Sequence, residues 1–207
     1  FMAGVLSNGK GFYQPLVYVL ECHRLGLKLL PPSVNEPGPA FIPRDQQIRV
    51  PVTRVKGLTQ RTTDALLAAR PKGAFNSLAD FFHRVNPRAE ELEALIRVGA
   101  FDEFGDTRTR QFWQAQHLVK TYSANAEPNQ GWLIAPPGLE QLVSVPLTES
   151  TRLERLQAET ELLGYAVSGH PLELFPDVAW ESYCPVSRLG EFIGETVTTC
   201  GLVVEQR

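Results

Sequence analysis

Val55-Lys56-Gly57-Leu58-Thr59, running into the helical pattern of residues 60–70, is the stretch best suited to grip a phosphate. A glycine turn lets backbone N–H groups come close to an anion, and the following helix presents its positive end to the same point. Lys56 and Arg61 add cationic charge, with Arg54 just upstream. A second unit repeats the plan further on. The helical pattern of residues 88–98 runs into Gly99-Ala100-Phe101-Asp102-Glu103-Phe104-Gly105 and then into a helix carrying Arg108 and Arg110. Two such turns predict contacts to a sugar-phosphate backbone that ignore base sequence. The candidate contacts are Arg54, Lys56, Gly57, Leu58, Thr59, Arg61, Gly99, Ala100, Gly105, Arg108 and Arg110. The same residues fit a plainer reading, in which Gly57 and Gly99 only cap helices and the cations form a solvated face.

Charge is distributed to suit the first reading. The net charge of the 207 residues is −3, but screening makes the local balance matter more than the total. Arg49, Arg54, Lys56, Arg61, Arg70, Lys72 and Arg84 face only Asp64 and Asp80 in the middle of the chain. Residues 140–181 are acidic, with Arg152 and Arg155 set against eight carboxylates.

Other chemistries find little support. Cys22, Cys184 and Cys200 lie far apart, which fits neither a disulfide framework nor a zinc site. Asp102-Glu103 beside Asp106 reads as loop and cap chemistry, because two-metal phosphoryl transfer needs carboxylates clustered on a rigid element. No catalytic and no metal-ligating residue is assigned. His170-Pro171 has no nucleophile or acid partner signalled nearby and reads as a turn.

The positioning elements follow from periodicity and punctuation. Residues 1–6 read as the end of a helix and 14–27 as an amphipathic one, with Leu16, Val19, Leu20 and Leu27 inward. Leu30-Pro31-Pro32 starts an extended stretch, and residues 40–55 hold one or two short edge strands. Short helices follow over 61–70, from Ser77 to Val85, over 88–98, and from Thr107 or Thr109 to about Tyr122. Residues 123–146 read as a linker, 151–163 as an amphipathic helix ended by Gly164, 187–192 as a short helix, and 196–205 as a β-branched strand. The chain is therefore expected to be mainly α.

Several runs resemble the bacterial DNA polymerase III alpha subunit, the C-family replicative polymerases. They are Phe1-Met2-Ala3-Gly4, Glu21-Cys22-His23-Arg24-Leu25-Gly26-Leu27-Lys28, Leu30-Pro31-Pro32-Ser33-Val34-Asn35, Val55-Lys56-Gly57-Leu58, Ser77-Leu78-Ala79-Asp80-Phe81, Gly99-Ala100-Phe101-Asp102, Glu161-Leu162-Leu163-Gly164-Tyr165, Ser168-Gly169-His170-Pro171-Leu172 and Gly201-Leu202-Val203-Val204. They occur in the family's order, nearly end to end. The resemblance implies a helical end of the fingers domain over 1–50 and a tandem helix-hairpin-helix module over 51–121. It further implies a linker over 122–150, a helical connector over 151–186 and the first strand of an OB-fold over 187–207. It implies double-stranded DNA, the sliding clamp and other replicase subunits as partners; a cytoplasmic setting is expected instead from the lack of a bilayer-spanning run or secretory start. Mg would serve the parent polymerase, whose catalytic aspartates lie in a palm domain, and no cofactor is implied for this stretch. One departure is Thr59, where the family usually has a second glycine.

Gln130-Gly131-Trp132-Leu133-Ile134 fits the Q-x-x-L-(F/I) shape of clamp-docking peptides, which the family carries in this linker. Gln130 would supply hydrogen bonds, Leu133 and Ile134 would fill an apolar pocket, and Trp132 would add area. The alternative is that Trp132 and Leu133 pin the linker to the helices. Two other whole-function readings stay open: a DNA-repair enzyme on a helix-hairpin-helix fold, and a pure protein-interaction module. The first lacks a lysine suited to pair with Asp64. No apolar run approaches the roughly 20 residues that span a bilayer, and the first four residues lack a secretory pattern. Phe1 and Arg207 both fall within patterned stretches, which predicts a piece of a longer chain.

Overall fold

The computed structural model describes residues 1–9, 12–124, 148–201 and 203. Helices dominate, as the periodicity predicts. Helix α1 (Met2–Asn8) buries Met2, Ala3 and Leu6. Helix α2 (Pro15–Arg24) starts on a proline at its first position, where the missing N–H is not needed, and buries Val19 and Cys22.

A small sheet follows. Strand β1 (Lys28–Leu30) pairs in parallel with β3 (Gln47–Arg49), and β2 (Ile42–Arg44) pairs antiparallel on the other side of β3. Leu29 sits opposite Ile48. Both are buried, which fixes the register, because a one-residue slip would turn them to solvent. The β2–β3 turn takes Asp45 to a φ of 49°, a conformation that aspartate tolerates better than most residues.

Four helices form the central layer: α3 (Gln60–Ala69), α4 (Leu78–Val85), α5 (Ala89–Arg97) and α6 (Arg108–Ala124). In α4 the spacing of Leu78, Phe81, Phe82 and Val85 puts all four on one buried stripe. The Ser77 hydroxyl caps its start by accepting from the Asp80 amide at 3.1 Å. Phe81 packs edge-on against Phe75 and Phe101, with ring centroids 5.1 and 5.0 Å apart. Helix α7 (Arg152–Leu163) opens on a capping box of Thr151 and Glu154 and stops at Gly164.

The boundary expected near residue 50 does not separate two cores. One apolar core runs from Met2 to Val167. The 33–36 loop is stitched into the helical layer. Val34 donates its amide to the Ala100 carbonyl at 3.1 Å, and Ser33 donates to Glu103. The Asn35 side chain bonds both the N–H and the carbonyl of Phe75, at 2.7 and 3.0 Å. Arg70 in turn donates to the Asn35 carbonyl.

The expected strand over 196–205 is not formed in residues 196–201 and 203. β-branched residues favour a pleated surface only when another strand supplies hydrogen bonds. Here one backbone bond, Cys184 N–H to the Thr198 carbonyl at 2.9 Å, ties this stretch back. Among the described residues, no helix is long and apolar enough to cross a membrane.

Candidate nucleic-acid interface

The first glycine turn faces outward. Buried Val55 anchors one side, and the Lys56 amide donates to the Leu162 carbonyl at the end of α7, at 2.8 Å. Gly57 is exposed with a φ of 89°, and a Cβ there would meet nothing within 4 Å. The positive φ explains the glycine, and the open space leaves its backbone approachable. Among the described residues, no acceptor meets the Gly57 amide, while residues 56–57 form a turn that closes on the Leu58 amide. The amides of Gln60 and Arg61 open α3, where helix geometry supplies no partner of their own.

Thr59 does not need the glycine it replaces. Its φ of −76° is ordinary extended backbone, and it is the N-cap of α3, its hydroxyl accepting from the Thr62 amide. The Thr59 amide is committed elsewhere. It donates at 2.8 Å to Glu91 Oε1, which the Thr59 hydroxyl also reaches at 2.7 Å. Glu91 Oε2 accepts from the Thr62 hydroxyl and the Arg88 amide, both at 2.7 Å. One carboxylate thus joins the starts of α3 and α5.

Glu91 is 2% exposed. Burial pushes its carboxyl up, but the bonds from Thr59, from the Arg88 and Thr59 backbone, and from Thr62 outweigh it and hold the group at about 2. The folded chain therefore refuses a proton that the unfolded chain accepts near 4.5. The stability from this carboxylate is complete above that value and is lost as pH falls through about 2. We expect the melting temperature to drop between pH 5 and pH 3, with a smaller drop for Glu91→Gln. Equal drops in the two proteins would contradict this.

The cationic window divides into two sets. Arg54, a candidate contact, donates to the Leu6 and Ser7 carbonyls at the end of α1 and lies over the Phe41 ring. Arg84 binds Asp80 and the carbonyls of Ala69, Gly73 and Ala74, and Arg49 binds Glu36 and the Pro31 carbonyl. With Arg70 on Asn35, these guanidinium forks satisfy carbonyls and carboxylates within the fold. Lys56 and Arg61 stay exposed at the first turn, and Arg61 also donates to the Asn86 carbonyl at 2.6 Å. Exposed Arg88 joins them, brought beside Thr59 by the shared carboxylate. The sequence reading missed both Arg88 and Glu91. A carboxylate three residues after the helix cap was the available signal.

The second turn is closed, against expectation. Gly99, with a φ of 81°, is buried, and its amide donates to the Ile96 carbonyl while that of Ala100 donates to Leu95. These two bonds are a Schellman ending for α5, so neither amide is available to a phosphate. Arg108 covers the turn. It is 8% exposed and bonds both Asp102 oxygens, at 3.0 and 2.7 Å, and the Arg97 carbonyl at 2.9 Å. Gly105 and Arg110 reach the surface, but Arg110 pairs with Asp106 at 3.5 Å. Asp102 and Glu103 also lie in this turn and oppose an incoming phosphate. Thus the two turns are not equivalent: the first offers amides and cations, and the second is a packed joint.

The candidate clamp contacts Gln130, Trp132, Leu133 and Ile134 lie outside the described residues. His170 caps the 3-10 turn Pro171–Leu174 by accepting from the Leu172 amide, and its ring lies 5.9 Å from that of His23.

Comparison with known proteins follows the same outline. Residues 26–111 match the helix-hairpin-helix motif family. The DNA polymerase III alpha subunit of Thermus aquaticus is 33% identical over 206 residues, covering 94% of this chain and 16% of the relative. That of Deinococcus radiodurans is 34% identical over 202 residues, covering 91% and 15%. That of Campylobacter jejuni is 33% identical over 190 residues, covering 84% and 16%. The chain spans about one sixth of the length of the curated relatives it matches. With the ordered motifs and the helix-hairpin-helix match on one continuous core, the chain belongs to the DNA polymerase III alpha-subunit family.

Proposed function

We propose that this chain positions double-stranded DNA by gripping backbone phosphates at the first glycine turn, as part of a polymerase carrying out template-directed synthesis. The observation that carries the reading is the outward edge at Gly57, with its unclaimed amide and with Lys56, Arg61 and Arg88 around it. Amide and cation contacts of this kind read the phosphate rail and not the bases. The second turn contributes rigidity, since its arginine is committed to Asp102 and the Arg97 carbonyl and its glycine amide to the Ile96 carbonyl. Nucleotidyl transfer with Mg is the activity proposed for the whole polymerase. The chain's share in it is placement of the duplex. Contact with the sliding clamp through Gln130, Trp132, Leu133 and Ile134, and with other replicase subunits, rests on the sequence pattern.

Two duplexes of equal length and unrelated sequence are expected to bind with equal affinity in an anisotropy titration. Arg88→Glu should weaken both by roughly threefold, the effect of one rim charge on a phosphate contact. A tenfold preference for one duplex would contradict the reading, as would unchanged binding by the Arg88 variant.

A further inference from the structure

We infer that Glu91 is the positioning residue of the phosphate grip, bracing the first turn through Thr59 so that the edge at Gly57 faces outward. This rests on the reading of that turn as the DNA contact. The geometry supports it in three ways. Both carboxylate oxygens are saturated, one by the amide and hydroxyl of Thr59, the other by Thr62 and the Arg88 amide. The bonds cross about 30 residues of sequence, so they hold the starts of α3 and α5 in one relative placement. The carboxylate also lies at the head of α3, on the Thr59 amide and the Thr59 and Thr62 hydroxyls, and its charge opposes an outside anion there. A phosphate must therefore meet the turn at Gly57, beside Lys56, and not on the helix axis.

The brace also accounts for Thr59. In its extended conformation the residue offers a hydroxyl that glycine lacks, and that hydroxyl is bonded to Glu91. A buried negative charge near a phosphate site opposes binding by Coulomb repulsion. The two roles thus predict opposite signs for removing the charge. If position matters more, Glu91→Gln weakens binding, because an amide cannot accept from all four donors. If charge matters more, binding tightens.

The test uses the full 207-residue chain and a duplex of arbitrary sequence, with folding of each variant checked by its melting curve. Glu91→Gln is expected to bind about tenfold more weakly, and its salt dependence to fall by about one phosphate contact. Glu90→Gln, an exposed neighbour on α5, makes the same charge change and should bind as tightly as the parent or slightly more so. Thr59→Gly removes one donor to Glu91 while leaving an acceptable helix cap, and should weaken binding about threefold. That variant keeps the inference testable if Glu91→Gln does not fold. Equal binding by Thr59→Gly and the parent overturns the brace, as does Glu91→Gln matching Glu90→Gln, even while Lys56→Glu still loses binding. Absence of salt-dependent binding by the parent chain overturns the phosphate grip itself and the brace with it.

Discussion

Gly99→Ala is expected to destabilise the chain by about 2–3 kcal/mol. The backbone contributes the smaller share, about 1 kcal/mol for holding a non-glycine residue at positive φ. The larger share comes from Arg108. A Cβ on residue 99 would lie 2.2 Å from Arg108 Nη2 and 2.6 Å from Asp102 Oδ2, closer than any contact can be. The guanidinium must move, leaving its two bonds to Asp102 and its bond to the Arg97 carbonyl. Arg108 is buried but Asp102 is 42% exposed, so solvent replaces part of the pair and the shift costs about 1–2 kcal/mol. Gly105→Ala is the control: its φ is 83°, but a Cβ there meets nothing within 4 Å. It should lose only the backbone share. Urea unfolding of the three proteins measures both values, and a loss below 1 kcal/mol for Gly99→Ala would contradict the packed joint.

The double variant Lys56→Glu with Arg61→Glu is expected to bind duplex DNA on the order of 100-fold more weakly at low salt. Each reversal removes one phosphate contact and adds a repulsive charge beside the open amides. Neither side chain carries the core, so the melting temperature should change little. Arg61 gives up one bond, to the Asn86 carbonyl. Arg54→Glu should show the opposite pattern. It releases the Leu6 and Ser7 carbonyls at the end of α1, which lowers stability, and it changes affinity far less. An equal loss of affinity for Arg54→Glu and the double variant would mean that charge alone, and not the placement of the turn, governs binding.

Which parts of this arrangement the sequence disclosed depends on the range of the interactions. Helix α4 was legible because Ser77 and Asp80 mark its start within four residues, and α7 because its apolar stripe repeats at the helical period up to Gly164. Strand β1 was not legible, since the extended stretch was expected to start only at Leu30, the last residue of β1. Its partner β3 lies 19 positions on, and parallel pairing leaves no local turn signal. The outward first turn was readable from Lys56 and Gly57. The closed second turn was not, because a glycine after a helix looks the same whether its amide faces solvent or the helix end. Arg108, folding back from the next helix, decides between them. Counting charges also misled. Arg49, Arg54, Arg70 and Arg84 are cations in the sequence, yet in the fold their guanidinium groups hold carbonyls and carboxylates. Glu91 drew no reading at all, since Thr59 and Thr62 approach it only in three dimensions.

The most direct test of the central claim is the salt dependence of duplex binding by the full chain. With phosphate contacts at Lys56, Arg61 and Arg88, the logarithm of the association constant should fall against the logarithm of salt concentration with a slope of about −2 to −3. A slope near zero would mean that no phosphate is held at the first turn.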